Sequence, residues 1–130
     1  MKLVVLPEEF AVARVEASDT IPAWALQAPL VSITRTPDEL SIVCAASHLR
    51  PGVRAERGWR CLRVAGPIDF AATGVLSSIA GPLADARVSI FAMSTYDTDY
   101  ILVREHALPA AIAALTAAGH DVDGPPAAAD

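Results

Sequence analysis

The run Ser94-Thr95-Tyr96-Asp97-Thr98-Asp99 sets hydroxyls beside two carboxylates, the densest polar chemistry in the chain. Three chemistries suit such a run. Carboxylate oxygens at Asp97-x-Asp99 match a hard cation such as magnesium or calcium, although the remaining positions of a calcium loop are missing. Aspartate and threonine also bond to nearby backbone in tight turns. The third use is recognition of an ammonium or guanidinium on a ligand. A second run, Gly66-Pro67-Ile68-Asp69-Phe70 followed by Thr73-Gly74-Val75, precedes a helical pattern. A helix start offers backbone N–H groups that favour a carboxylate. There Gly74 leaves room for close approach and Phe70 can wall a pocket. A zwitterionic amino acid carries both charges that these two runs would meet.

Catalytic constellations are absent from the sequence pattern. His48, His106 and His120 fall at expected loops or helix ends, without a nucleophile beside them, and read as surface histidines. Neither a G-x-x-x-x-G-K-[ST] nor a G-x-G-x-x-G phosphate loop occurs, so a nucleotide-using enzyme is disfavoured and no cofactor is expected. Cys44 and Cys61 lie in apolar strand contexts and read as buried free thiols, with no metal site expected. The formal net charge of −5 argues against nucleic acid. Arg50, Arg54, Arg57, Arg60 and Arg63 cluster locally and read as a solvated loop leading onto the outward face of a strand. No apolar run approaches the roughly 20 residues of a spanning helix, and the start is too short in apolar residues for a signal peptide. A cytoplasmic protein without membrane contact is expected.

The elements that must position these residues follow from periodicity. Arg60 to Val64 is a strand, and the apolar positions from Val75 to Leu83 have helical spacing, with a kink expected at Gly81-Pro82. Val88 to Met93 and Tyr100 to Val103 form a hairpin around the polar run. A final helix starts near Pro109 and stops at Gly119. With a short strand around His120 to Val122, the order is βαββαβ, the α+β ferredoxin-like arrangement. Residues 123–130 read as a disordered tail.

The first half repeats the plan in shortened form. Strands are expected at Leu3 to Leu6 and Phe10 to Val15 on either side of Pro7-Glu8-Glu9. One or two helical turns follow at Ile21 to Gln27, capped by Asp19 or Thr20, and then a hairpin of Leu30 to Thr34 with Ser41 to Cys44. An ungapped offset of 60 lays Thr34–Val43 over Ser94–Val103, with hydroxyl over hydroxyl and Glu39 over Asp99. Two related units, 1–60 and 61–122, are expected.

The strings G-P-I-D-F-A-A-T-G-V-L, S-I-F-A-M-S-T-Y-D-T-D-Y-I-L-V and A-L-T-A-A-G-H, together with T-R-T-P-D-E-L-S-I-V-C in the first half, carry a resemblance. From Leu3 to Val122 the chain resembles the small bacterial ACT-domain proteins related to the CASTOR arginine sensors and to the regulatory region of aspartate kinases. This resemblance implies two tandem ACT-like halves and an amino-acid-binding regulatory module with no catalysis of its own. It also implies a homodimer and a separately encoded regulated protein. Carried onto matching positions, the implied ligand contacts are Ile68, Phe70, Thr73, Gly74, Val75, Ser94, Thr95, Asp97, Thr98 and Asp99. With only two halves, a shared site calls for a second chain. The competing expectation is an ACT-fold module that has lost its ligand and binds another protein.

Overall fold

The computed structural model describes residues 1–66, 68, 69 and 73–124. Its strands are β1 (Lys2–Val15), β2 (Val31–Arg35), β3 (Leu40–Ala45), β4 (Ala55–Val64), β5 (Ile90–Ser94), β6 (Asp99–Arg104) and β7 (Asp121–Asp123). The helices are α1 (Ala23–Leu26), α2 (Val75–Asp85) and α3 (Leu108–Ala117). Two compact units divide the chain, one of Met1–Pro7 with Arg60–Asp130 and the other of Glu8–Trp59. They are called here the major and minor units. The first seven residues, which the sequence places in the first half, cluster with the major unit.

In the major unit the strands run β5-β6-β4-β1-β7, with β5 antiparallel to β6 and β7 parallel to β1. Alternate residues supply its core, as the two-residue period of a strand requires. Leu3 and Val5, Leu62 and Val64, and Ile101 and Val103 meet Ile79 and Leu83 of α2 and Leu108, Ala111 and Leu115 of α3. In the minor unit the order is β2-β3-β1-β4, with Leu40, Ile42 and Cys44 packed with Ala13, Trp24 and Ala25. Both orders are ferredoxin-like. In the major unit, β1 takes the place beside β4 that the last strand of the pattern would hold, and β7 lies outside it.

Several local expectations give way to the structure. Pro7-Glu8-Glu9 does not interrupt β1. Pro7 lies between the stretch paired with β7, Lys2–Val4, and the stretch paired with β3, Phe10–Val15, and it is exposed with both glutamates. A missing N–H costs little at such a position. Helix α1 starts after Pro22 with no side-chain cap, so neither Asp19 nor Thr20 caps it. Among the five arginines, Arg50, Arg54 and Arg57 are exposed, but Arg63 is half-buried and Arg60 is buried, its Nη2 donating to the Leu6 carbonyl at 3.0 Å. The expected tail begins later, because β7 runs through Asp123, and 125–130 lie outside the described residues.

His120 is also buried rather than a surface histidine. Pro82, the expected kink site, stands inside α2, and the helix continues through it to Asp85. A proline leaves the carbonyl four residues earlier without its helical donor. That carbonyl belongs to Ser78, and His120 Nε2 donates to it at 2.8 Å. The imidazole is delivered by the end of α3. There His120 N–H bonds the Leu115 carbonyl and Gly119 N–H the Thr116 carbonyl, with Gly119 at φ +97°. These are the paired bonds of a Schellman cap, which needs a residue able to adopt a left-handed backbone. With its proton on Nε2, the ring accepts at Nδ1 from the Met1 ammonium at 3.1 Å.

Candidate functional site

Helix α2 and the β5–β6 turn bound a cavity of about 380 Å³ in the major unit. The turn is built by threonine. Thr95 N–H bonds the Thr98 carbonyl at 2.8 Å, Thr98 N–H bonds Thr95 Oγ1 at 3.2 Å, and the buried Thr98 hydroxyl donates to the Val64 carbonyl at 2.6 Å. The connection leaving β4 is tied to the turn in its own way, Ile68 N–H donating to the Asp97 carbonyl at 2.7 Å. These bonds hold the two polar runs on one edge.

At the opposite wall, Gly74 is the N-cap of α2 with φ +77°, a left-handed conformation that other residues adopt at a cost. An added Cβ there would meet nothing nearer than Ser77 Oγ at 3.8 Å. Gly74 is therefore required by its backbone conformation rather than by crowding. The first amides of a helix have no intrahelical acceptor. In α2 the ladder begins with Ser78 N–H bonding the Gly74 carbonyl at 2.9 Å, so the amides before it face the loop end of the helix. Ser77 Oγ donates to the Gly74 carbonyl at 3.1 Å and closes the turn.

Of the residues expected in the site, Ile68, Gly74, Val75, Ser94, Thr95, Asp97, Thr98 and Asp99 line this cavity. Thr73 is exposed and is not among its lining residues, and Phe70 lies outside the described residues. Asp69, Leu76, Ser77 and Tyr96 line it in addition. Leu76 and Ser77 escape a sequence reading centred on the loop, although their place in the first helical turn is a usable signal. Asp99 accepts a 2.6 Å hydrogen bond from Ser94 Oγ, which fixes its carboxylate across the β5–β6 ladder, where Ser94 and Asp99 are paired. Asp69, Asp97 and Asp99 give the described lining three carboxylates and no Lys, Arg or His. Among the described residues, no group of three His, Cys, Asp or Glu side chains converges as a metal site would require.

The hairpin of the minor unit has the same build in a different register. Thr36 N–H bonds the Glu39 carbonyl at 2.9 Å, and Arg35 pairs with Leu40 as Ser94 pairs with Asp99. The equivalent residues are thus Arg35 and Ser94, Thr36 and Thr95, Asp38 and Asp97, Leu40 and Asp99. This is one residue short of the ungapped offset read from the sequence. A one-residue slip turns every side chain to the other face. The structural register pairs core-facing Ile42 with core-facing Ile101, whereas the ungapped offset pairs it with Leu102, outside that cluster.

Comparison with known proteins follows the same division. The ACT domain model matches residues 54–117, and a second family model, an N-terminal domain, matches residues 8–49. A crystal structure of a protein from Agobacterium tumefaciens is 42% identical with a TM-score of 0.89, and the match covers 95% of this chain and 92% of that one. Residues 54–117 form an ACT domain. This ACT-domain chain is 33% identical over 94 residues to the human protein CASTOR3P and 40% identical over 58 residues to the human cytosolic arginine sensor for mTORC1 subunit 1. These alignments take in 60% and 44% of the chain, and 56% and 18% of the two relatives. The regulatory subunit of aspartate kinase from Thermus thermophilus shares the fold at 13% identity, with a TM-score of 0.61 over 86% of this chain and 93% of that one.

Proposed function

We propose that the chain is an amino-acid-binding regulatory module with no catalytic activity of its own, and that its ligand occupies the cavity between α2 and the β5–β6 turn. The observation that carries this reading is the polarity of the cavity. One wall is the start of an eleven-residue helix, whose amides suit a carboxylate. The facing turn brings Asp97 and Asp99, whose carboxylates suit an ammonium or guanidinium. With three aspartates and no cationic side chain among the described lining residues, neutral and basic amino acids are favoured over aspartate and glutamate. A volume of about 380 Å³ lies in the range of small-molecule sites. The chain's relatives, among them a cytosolic arginine sensor and a kinase regulatory subunit, support the same class of work and a cytosolic setting.

Regulation then acts on a separately encoded protein, through a homodimer. Tyr96, 79% exposed at the cavity, and Leu26, 66% exposed, are apolar surface that a second chain would cover. Thermal-shift titration with each common amino acid tests the reading, since a ligand of the folded state raises the midpoint as ln(1 + [L]/Kd). Asp99→Asn should weaken the best ligand about tenfold, equivalent to about 1.4 kcal/mol, while leaving the ligand-free midpoint nearly unchanged. If no amino acid moves the midpoint, the module is an ACT fold that binds protein without a small-molecule ligand. Light scattering at micromolar concentration tests the dimer, and a single-chain mass of 13.6 kDa refutes it.

A further inference from the structure

The minor unit has a shallow, open depression of its own, lined by Ala17, Ser18, Arg35, Thr36 and Pro37. Arg35, Thr36 and Pro37 are the structural equivalents of Ser94, Thr95 and Tyr96, which line the cavity of the major unit. Ala17 and Ser18 belong to the strand-to-helix connection between β1 and α1, the counterpart of the connection that carries Ile68 and Asp69. A depression therefore recurs at the same place in the ferredoxin-like plan, with one decisive exchange. Where the major unit has a short serine, the minor unit has an arginine, and its side chain turns back onto the connection. Nη1 donates to the Ala17 carbonyl and Nη2 to the Asp19 carbonyl at 3.0 Å. A turn closed by Asp19 N–H on the Glu16 carbonyl, also at 3.0 Å, presents these two acceptors together.

We propose that the Arg35 guanidinium stands in for a ligand cation on the Ala17 and Asp19 carbonyls, and that these carbonyls form a guanidinium site which takes a free guanidinium compound once Arg35 is removed. A planar fork with two N–H groups matches two adjacent carbonyl oxygens, whereas a single ammonium centre cannot present the same parallel donors. Leu40, fully buried, stands where the major unit has Asp99, so the site holds its cation through main-chain acceptors rather than a carboxylate. Helix α1 has only four residues and adds no anion-binding start. The minor unit consequently takes a bare guanidinium and not a zwitterion. On the reading of the major unit's cavity as the ligand site, one site in each chain responds to ligand and the acceptors of the other are taken by Arg35.

The test uses the full chain with methylguanidinium as probe, and methylammonium at equal ionic strength as control. Amide chemical shifts of Ser18, Asp19 and Thr36 are followed by two-dimensional NMR in wild type, Arg35→Ala and Arg35→Ser. Arg35 is exposed, so both variants are expected to fold. The expected result is saturable methylguanidinium binding in both variants and at least about tenfold weaker binding in wild type, with methylammonium giving no saturable shift in any of them. Equal titration of wild type and variants, or the absence of a saturable shift in the variants, overturns the proposal. Amides of Gly74, Ser77 and Thr95, titrated separately with amino acids, report the major unit's cavity. A failure there refutes the proposed function and leaves the Arg35 result to stand or fall by itself.

Discussion

Replacing His120 with phenylalanine removes the Nε2 donor while keeping an aromatic ring in the same buried place. The Ser78 carbonyl then loses its 2.8 Å partner, and Pro82, four residues on, has no N–H to offer in exchange. A neutral hydrogen bond contributes about 1 kcal/mol net, and an orphaned carbonyl costs about 1 to 3 kcal/mol when water cannot reach it. Ser78 is itself exposed, so water reaches part of the vacated site and the lower figure applies. In a Pro82→Ala background the restored amide of residue 82 takes the Ser78 carbonyl, and the same His120→Phe change should lose that share of its cost. The contact between Nδ1 and the Met1 ammonium disappears in both backgrounds and cancels, as does any change in ring packing. Urea denaturation of the four proteins gives the coupling directly, expected at about 1 kcal/mol, or roughly 3 to 5 °C in midpoint for a chain of this size. If His120→Phe destabilises both backgrounds equally, the imidazole is not repairing the helix and the argument fails.

Gly74→Val should lower stability and abolish the amino-acid response, because a β-branched residue resists φ +77° at the helix start. Gly74→Asn, which tolerates that conformation, should retain both, and equal loss in the two variants would point to crowding instead. Burial pushes the Cys44 thiol above its ordinary value of 9.0, so the unfolded chain releases this proton first as pH rises. The stabilisation is complete below that value and declines above it, so urea midpoints should fall as pH rises past 9.0, with a smaller fall in Cys44→Ala. An equal fall in the variant would assign the slope to other groups.

Much of the fold is written in local pattern. Alternation at Leu62 and Val64 and at Ile101 and Val103, helical spacing from Val75 to Leu83, and the polar run at 94–99 between two apolar strands suffice for a βαββαβ order. The same pattern brings the Gly74 region and the Asp97–Asp99 turn to one edge, because in that order the first connection and the hairpin turn share an end of the sheet. What the pattern could not supply was pairing. That β1 passes through Pro7 without a break depends on which stretches of it β3 and β7 pair with, and strand neighbours are not encoded in the strand itself.

Register and partner choice were likewise decided only by the tertiary structure. A comparison without gaps counts residues, whereas a hairpin counts faces, so the alignment of Ile42 with Ile101 had to come from the two cores. His120 looked like an isolated surface ring and Pro82 like a kink, because the bond from the ring to the Ser78 carbonyl, the acceptor that Pro82 leaves without a donor, spans forty-two residues of sequence. Nothing local to Arg35 marks it for a role, and only the fold brought its guanidinium onto the Ala17 and Asp19 carbonyls. The sequence by itself determined which segments become strand or helix and which edge collects the polar groups, because those depend on neighbours three or four residues away. Long-range pairing decided the rest, since a hydrogen bond or a core contact is fixed by where two distant segments meet and by nothing local to either.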